Sequence, residues 1–81
     1  MNVKLLFFGE LKDRVGKDHM DLILPEAVSV DSLLAKALGD EADHQVWQKS
    51  IMYAVNEEQV SASTQIQDGD EVAFLPPMSG G

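Results

Sequence analysis

Residues 29–38 read Ser-Val-Asp-Ser-Leu-Leu-Ala-Lys-Ala-Leu, the clearest helical pattern in this 81-residue chain. Five apolar side chains recur at the spacing of three and four residues that places them on one face of a helix: Val30, Leu33, Leu34, Ala37 and Leu38. Ser29 can cap the first turn, and Gly39 stands where helices often end in a left-handed residue. The segment therefore predicts one amphipathic helix that packs on a sheet.

Short apolar segments on both sides of this helix predict five strands. They cover residues 3–8, 19–24, 51–55, 59–63 and 71–75. The first segment, VKLLFF, is almost continuously apolar, which is typical of a central strand covered on both faces. The second segment stops at Pro25 and is expected to pair with the first as a hairpin. Pro76-Pro77 ends the last strand.

The segments between these elements predict turns and one irregular stretch. Residues 11–15 indicate a brief helical turn. Residues 40–50 are mostly polar and acidic, and they predict an irregular segment that Trp47 fixes to the body of the protein. Residues 56–58 and the Asp-Gly-Asp sequence at 68–70 predict turns.

The order strand, strand, helix, strand, strand, strand predicts an α+β fold of the ubiquitin-like β-grasp type. Such a fold is a mixed sheet of about five strands covered by one main helix. A ferredoxin-like arrangement is the alternative, but it needs a second strong amphipathic helix, and residues 10–15 are too short to supply one. The β-grasp domain is expected to cover residues 1–75, with residues 76–81 as an extended, flexible C-terminal tail.

The composition disfavours several classes of function. Fourteen acidic residues against six basic ones give a formal charge of −8, which repels phosphate backbones and anionic lipids. We therefore expect neither a nucleic acid nor a membrane partner, and a basic protein surface is the natural counterpart. The chain has no cysteine, and His19 and His44 lack the spacing of metal ligands, so no metal site is expected.

The short length of the chain and its first residues indicate the kind of function and the location to expect. A chain this short has little room for a buried catalytic cleft, which favours a carrier or subunit that docks on a larger partner. The apolar start is too short to span a membrane and lacks the layout of a signal peptide. The cytoplasm is therefore the expected location.

The last six residues, Pro-Pro-Met-Ser-Gly-Gly, predict a projecting tail that presents the carboxylate of Gly81. Pro76 and Pro77 stop sheet pairing and hold the chain extended, and six extended residues reach roughly 20 Å. Without a Cβ, Gly80 and Gly81 fit a narrow channel in another protein. A frayed terminus is the alternative interpretation.

Three stretches of this chain resemble the family of molybdopterin synthase small subunits. They are residues 3–16 (VKLLFFGELKDRVG), residues 68–75 (DGDEVAFL) and residues 76–81 (PPMSGG). The likeness spans the whole chain, and the Asp-Gly-Asp-Glu-Val block running into Pro-Pro-x-x-Gly-Gly is its most specific part.

The resemblance implies a sulfur carrier that works through Gly81. An adenylating activating enzyme would use ATP and magnesium to activate its carboxylate, and a sulfur donor protein would convert it to a thiocarboxylate. The tail would then enter the large subunit of molybdopterin synthase and pass sulfur to cyclic pyranopterin monophosphate, two such deliveries forming molybdopterin. The tail residues would be Pro76, Pro77, Met78, Ser79 and Gly80.

The resemblance also implies what this chain lacks and where it binds. It would bind no cofactor itself, and the catalytic side chains are expected on the large subunit, within a heterotetramer of two small and two large subunits. Phe8 and Leu75 stand at partner-binding positions of the family, and Gln59 occupies one that can be apolar in relatives. Of Phe7 and Phe8, one ring is expected to face inward and the other a partner.

Two other functions are compatible with the same pattern. The chain could be a β-grasp sulfur carrier for thiamine or tRNA thiolation, or a modifier of lysines. It could also be a non-catalytic β-grasp interaction module with an inert tail.

Overall fold

The structure is a computed structural model that describes residues 1–77. Along these residues the elements are β1 Asn2–Phe7, α1 Gly9–Val15, β2 His19–Ile23, α2 Val30–Leu38, α3 Glu41–Trp47, β3 Met52–Val55, β4 Glu58–Val60 and β5 Glu71–Leu75. The strands form one sheet in the order β2-β1-β5-β3-β4. β1 and β5 run parallel, and the other neighbouring strands run antiparallel. This arrangement confirms the predicted ubiquitin-like β-grasp fold.

α2 confirms the predicted main helix at both of its ends. The Ser29 hydroxyl oxygen accepts a hydrogen bond from the backbone N–H of Ser32 at 3.3 Å, which satisfies one free donor of the first turn. Gly39 has φ 70°, and its N–H donates to the carbonyl oxygen of Ala35 at 3.0 Å. The buried face of the helix consists of Val30, Leu33, Leu34 and Leu38. No helix within residues 1–77 has the length and apolar character needed to cross a membrane.

Aromatic side chains of three neighbouring strands form the centre of the core. Phe7 of β1 and Phe74 of β5 are register partners, and their rings stack with centroids 5.6 Å apart. Tyr53 of β3 meets Phe74 edge to face at 5.8 Å. Phe74 therefore contacts an aromatic ring on each side and is itself fully buried.

The prediction that the first strand is covered on both faces is wrong. Its burial alternates, because Val3, Leu5 and Phe7 are buried whereas Lys4 is exposed and Leu6 is half-buried. The strand is interior to the sheet, between β2 and β5, but the buried core lies on one face only. Its outer face is therefore available to another molecule.

The prediction of an irregular segment at residues 40–50 is also wrong, because α3 lies there. Asp40 caps this helix by accepting the backbone N–H of Asp43 at 3.1 Å. None of its residues is fully buried, so no regular apolar stripe marks the helix in the sequence. Trp47 nevertheless packs against the core, as predicted.

The fourth strand is shorter than the predicted range of 59–63, since β4 ends at Val60. The residues that follow bind α2 instead of β3. The carbonyl oxygens of Ala62 and Thr64 accept the backbone N–H groups of Asp31 and Val30, which begin that helix. The N–H groups at the start of α2 have no partner within the helix, and they bind carbonyl oxygens that follow β4. This hydrogen bonding competes with the pairing of β4 and β3, which ends at Val60.

The turn between β3 and β4 places two non-glycine residues in the left-handed region, Asn56 at φ 51° and Glu57 at φ 71°. Two-residue hairpin turns of this kind favour asparagine followed by glycine. We expect Glu57→Gly to raise the free energy of unfolding by about 1 kcal/mol, because glycine lacks the Cβ that makes this conformation costly. Urea denaturation measures the change. Glu58→Gly in the adjoining strand should destabilise, and a loss in both variants would contradict the turn assignment.

Candidate functional site

The sheet face opposite the core is apolar in its middle. Leu6 of β1 and Ala54 of β3 both pair with Ala73 of β5, so the three side chains lie side by side. Because alanine side chains are short, Ala54 and Ala73 project little from the sheet. Charged residues stand toward one end of the strands, where Lys4 pairs with Glu71. An apolar face with charged margins is a common form of protein interface.

An apolar groove with a volume of about 630 Å³ opens at the end of the sheet where β5 stops. Its apolar lining consists of Phe8, Trp47, Met52, Leu75, Pro76 and Pro77. Phe8 is 44% exposed and Met52 is 45% exposed, a large apolar surface for so small a protein. We call the surface formed by these six residues the exit groove, because the chain leaves β5 through it.

The structure brings together two of the three predicted partner-binding residues. Phe8 and Leu75 both line the exit groove. Gln59 pairs with Ala54 and lies on the same sheet face, but on the edge strand β4 and outside the groove. Their role in partner binding stays a prediction.

The two neighbouring phenylalanines divide between core and surface. Phe7 is 1% exposed and stacks on Phe74, whereas Phe8 lies beyond the end of β1 with its ring at the surface. Phe8 is therefore the ring that faces outward.

The predicted tail is described at its first two residues. Pro76 and Pro77 follow β5 directly and line the exit groove. The predictions for Met78, Ser79, Gly80 and Gly81 lie outside the described residues.

Two groove residues were missed in the sequence interpretation. Met52 follows from strand alternation, because the neighbouring Ile51 and Tyr53 face the core and direct it outward. Trp47 was interpreted as fixing an irregular segment. It is the last residue of α3, and it both packs on the core and lines the groove.

A shared carboxylate holds α3, and with it Trp47, against the body. Asp31 of α2 accepts the hydroxyl of Tyr53 at 2.7 Å and the Nε2–H of His44 at 2.9 Å on the same oxygen, Oδ1. A second contact joins Arg14 of α1 to Asp43 of α3. Polar contacts from α1 and α2, and from β3 through Asp31, therefore position α3 and the wall of the groove that Trp47 forms.

Burial raises the pKa of the Tyr53 phenol well above its usual range, and the hydrogen bond to Asp31 raises it further. The unfolded chain releases this proton near pH 10, whereas the folded chain retains it. The contribution of the Tyr53 phenol to the free energy of unfolding is thus fully present below pH 10. Above that pH it should fall by up to about 1.4 kcal/mol per pH unit. Urea denaturation between pH 8 and 11 measures this loss.

Tyr53→Phe is the matched variant for the pH experiment. It keeps the ring against Phe74 and removes the ionisable group, so the stability of the variant should depend less on pH above 10. Equal pH dependence of the two proteins would contradict the assignment.

The groove side chains suit binding more than bond-making chemistry. Glu10 is the one charged residue that lines the described part of the groove, and the hydroxyl of Ser50 donates to the carbonyl oxygen of Trp47 at 3.4 Å. Within residues 1–77, no three His, Asp or Glu side chains come together as metal ligands. The groove therefore offers apolar contact area next to the start of the tail.

Comparison with known proteins extends over the whole chain. The ThiS family matches residues 5–81. The molybdopterin synthase sulfur carrier subunit of Chlamydomonas reinhardtii is 30% identical, with 100% of both chains covered. The protein of the same name from Escherichia coli strain K12 is 33% identical, with 98% of this chain and 99% of that protein covered.

A solved structure with the same fold is a complex of subunits 1 and 2 of the molybdopterin-converting factor from Helicobacter pylori. One of its chains matches with a TM-score of 0.65 and 24% identity, and the match covers 100% of both chains. At this identity the match supports the fold. The family match and the two relatives decide the classification: the chain belongs to the ThiS family of ubiquitin-like β-grasp proteins, and its relatives include molybdopterin synthase sulfur carrier subunits.

Proposed function

We propose that this chain is the sulfur carrier subunit of a molybdopterin synthase and that it carries sulfur as a thiocarboxylate on Gly81. The observation that carries the proposal is the position of Pro76 and Pro77, the first two residues of the tail. β5 runs into Pro76-Pro77 at the exit groove, so a partner that binds the groove also receives the residues that follow. The names of the full-length relatives from Chlamydomonas and Escherichia coli support the same assignment.

Loading requires activation, because a carboxylate is a poor electrophile. One oxygen of the Gly81 carboxylate attacks the α-phosphate of ATP on an activating enzyme, and pyrophosphate leaves. Sulfur supplied by a donor at the oxidation level of hydrosulfide (HS⁻) then attacks the acyl carbon and displaces AMP; if the donor holds the sulfur as a persulfide, a thiol reductant must cleave the S–S bond to the donor. The carbonyl group keeps its oxygen and gains a terminal sulfur. ATP and magnesium belong to the activating enzyme, so this chain needs no cofactor of its own.

Delivery breaks the carbon–sulfur bond that loading formed at the carbonyl carbon of Gly81. The thiocarboxylate sulfur passes to cyclic pyranopterin monophosphate in the large subunit, and water restores the Gly81 carboxylate. Two deliveries supply the two sulfur atoms of molybdopterin. Catalytic side chains act from the large subunit, and this chain acts by carrying and presenting the acyl group.

The described surface contributes the docking energy. Phe8 and Met52 are partly exposed beside Trp47 and Leu75, and a partner that covers them removes apolar area from water at about 25 cal/mol per Å². The negative charge of the chain favours a large subunit with a basic rim. We expect an assembly of two small and two large subunits.

The absence of cysteine makes the loading experiment specific. The purified chain is incubated with a cognate activating enzyme, ATP, magnesium and a sulfur donor, and then treated with iodoacetamide. Because the chain has no thiol of its own, alkylation of the C-terminal peptide reports a thiocarboxylate. Alkylation is preferable to mass alone, since exchange of oxygen for sulfur adds nearly the same mass as oxidation of Met78.

We expect one alkylated group per chain, located on Gly81. A chain that lacks Gly80 and Gly81 should fold equally well and accept no label. The proposal fails if the complete sequence stays unlabelled while a known carrier is labelled by the same enzymes.

A further inference from the structure

The exit groove contains an exposed methionine, Met52. Its residue surface is 45% exposed, whereas Met1 and Met20 are partly buried and pack against the core. Alternation along β3 directs Met52 outward, because the neighbouring Tyr53 faces the core. Within residues 1–77, Met52 is therefore the methionine that is most open to solvent.

Met52 lies at the centre of the proposed docking surface. The antiparallel register of β3 and β5 places it directly opposite Leu75. Both residues line the exit groove together with Phe8 and Trp47. The flexible, unbranched side chain of methionine adapts well to the shape of an apolar partner. A partner that covers this groove must also cover Met52 and remove it from water.

An exposed thioether is open to oxidation by peroxides. The sulfur attacks one oxygen of hydrogen peroxide, so that an S–O bond forms while the O–O bond breaks. The departing hydroxide takes the proton of the transferred hydroxyl group and becomes water. The sulfur loses two electrons and the peroxide gains them. The product is methionine sulfoxide, which is polar, and methionine sulfoxide reductases restore the thioether with thiols as the electron source.

We propose that Met52 is a redox-sensitive modification site, and that its conversion to the sulfoxide by peroxide weakens docking at the exit groove. The proposal rests on the proposed function, in which the groove binds a large subunit. The physical reason is desolvation, because a partner that covers the sulfoxide must bury a polar oxygen among apolar side chains. Docking should in turn protect Met52, since a bound partner withholds it from the oxidant.

The first measurement needs no partner. The purified chain in its carboxylate form is treated with a limiting amount of hydrogen peroxide, and peptide mass spectrometry follows each methionine. We expect Met52 to be oxidised at least about 5-fold faster than Met20, whose side chain packs against the core. Equal rates at the two residues would overturn the assignment of Met52 as the sensitive site.

Met52→Leu is the matched variant for the binding experiment. Leucine is apolar and of similar size, and it cannot form a sulfoxide. Catalase removes the peroxide, and isothermal titration calorimetry then measures binding to a cognate large subunit. Oxidation should weaken binding of the unsubstituted chain about 10-fold or more. The affinity of Met52→Leu should change by less than about 2-fold relative to its own untreated sample, so its basal affinity does not enter the comparison.

Two further variants exclude the other methionines. Met20→Leu and Met78→Leu both retain Met52, so oxidation should weaken their binding as much as that of the unsubstituted chain. Treatment of the oxidised chain with methionine sulfoxide reductases and a thiol reductant should restore the affinity. Addition of the large subunit before the peroxide should slow the oxidation of Met52.

The outcomes separate the two proposals. If the untreated chain does not bind the large subunit, the sulfur carrier assignment fails, and control of that docking by Met52 fails with it. If the untreated chain binds, the sulfur carrier assignment stands. An equal loss of affinity on oxidation in Met52→Leu and the unsubstituted chain, or no loss in either, would then overturn the role of Met52 alone.

Discussion

Replacing Phe74 with alanine is expected to lower the free energy of unfolding by about 3–5 kcal/mol, the range for removing a buried aromatic side chain. Phe74 is the penultimate residue of β5, and it is fully buried between Phe7 and Tyr53. A domain of this length has a total stability of only about 4–12 kcal/mol. The variant should therefore lose a quarter or more of the total free energy of unfolding. Urea denaturation at 25 °C measures the loss.

Ile23→Ala is the control for this experiment. Ile23 is 84% exposed at the end of β2, so its truncation should change stability by less than about 0.5 kcal/mol. Similar losses in the two variants would show that the aromatic centre does not hold the sheet together. Phe74→Leu, which keeps most of the volume, should recover a large part of the stability.

Replacing Phe8 with aspartate should weaken binding of a cognate molybdopterin synthase large subunit at least about 100-fold, as expected for a buried aromatic anchor of an interface. The folded chain should tolerate the change, because Phe8 is partly exposed and occupies the N-cap of α1, where aspartate is favourable. Isothermal titration calorimetry measures the affinity, and circular dichroism checks the fold.

Ile23→Asp is the matched control for binding. It introduces the same charge at another exposed apolar residue, which lies at the opposite end of the sheet from the exit groove. Its affinity should stay within a few fold of the unsubstituted chain. Equal loss in both variants would indicate a general charge effect and would remove the argument for docking at the groove.

The elements that sequence patterns predict well are those with a buried apolar stripe and clear end signals. α2 has both, and the antiparallel pair of β1 and β2 follows from two apolar segments that flank the short helix α1. α3 lacks such a stripe, because its contacts to Arg14 and Asp31 are polar and come from distant positions. Asp40 directly after Gly39, with acidic residues in the next turn, is the signal that could have revealed it.

Some features of the candidate site were likewise predicted from the sequence, and others were not. Phe8 and Leu75 were predicted from the family resemblance, and the structure brings them together in the exit groove. Trp47 joins them only through the packing of α3. The position of Met52 opposite Leu75 depends on the antiparallel register of two strands that are not consecutive in the chain. Long-range pairing of this kind leaves no local pattern.

Sulfur transfer from a preloaded chain tests the central claim most directly. The chain is prepared with a thiocarboxylate on Gly81 and mixed with a large subunit and cyclic pyranopterin monophosphate, without activating enzyme or ATP. The account requires one molybdopterin to form for every two thiocarboxylates consumed, and none to form from the carboxylate form. Equal product from both forms, or a thiocarboxylate that persists beside unreacted pterin, would contradict it.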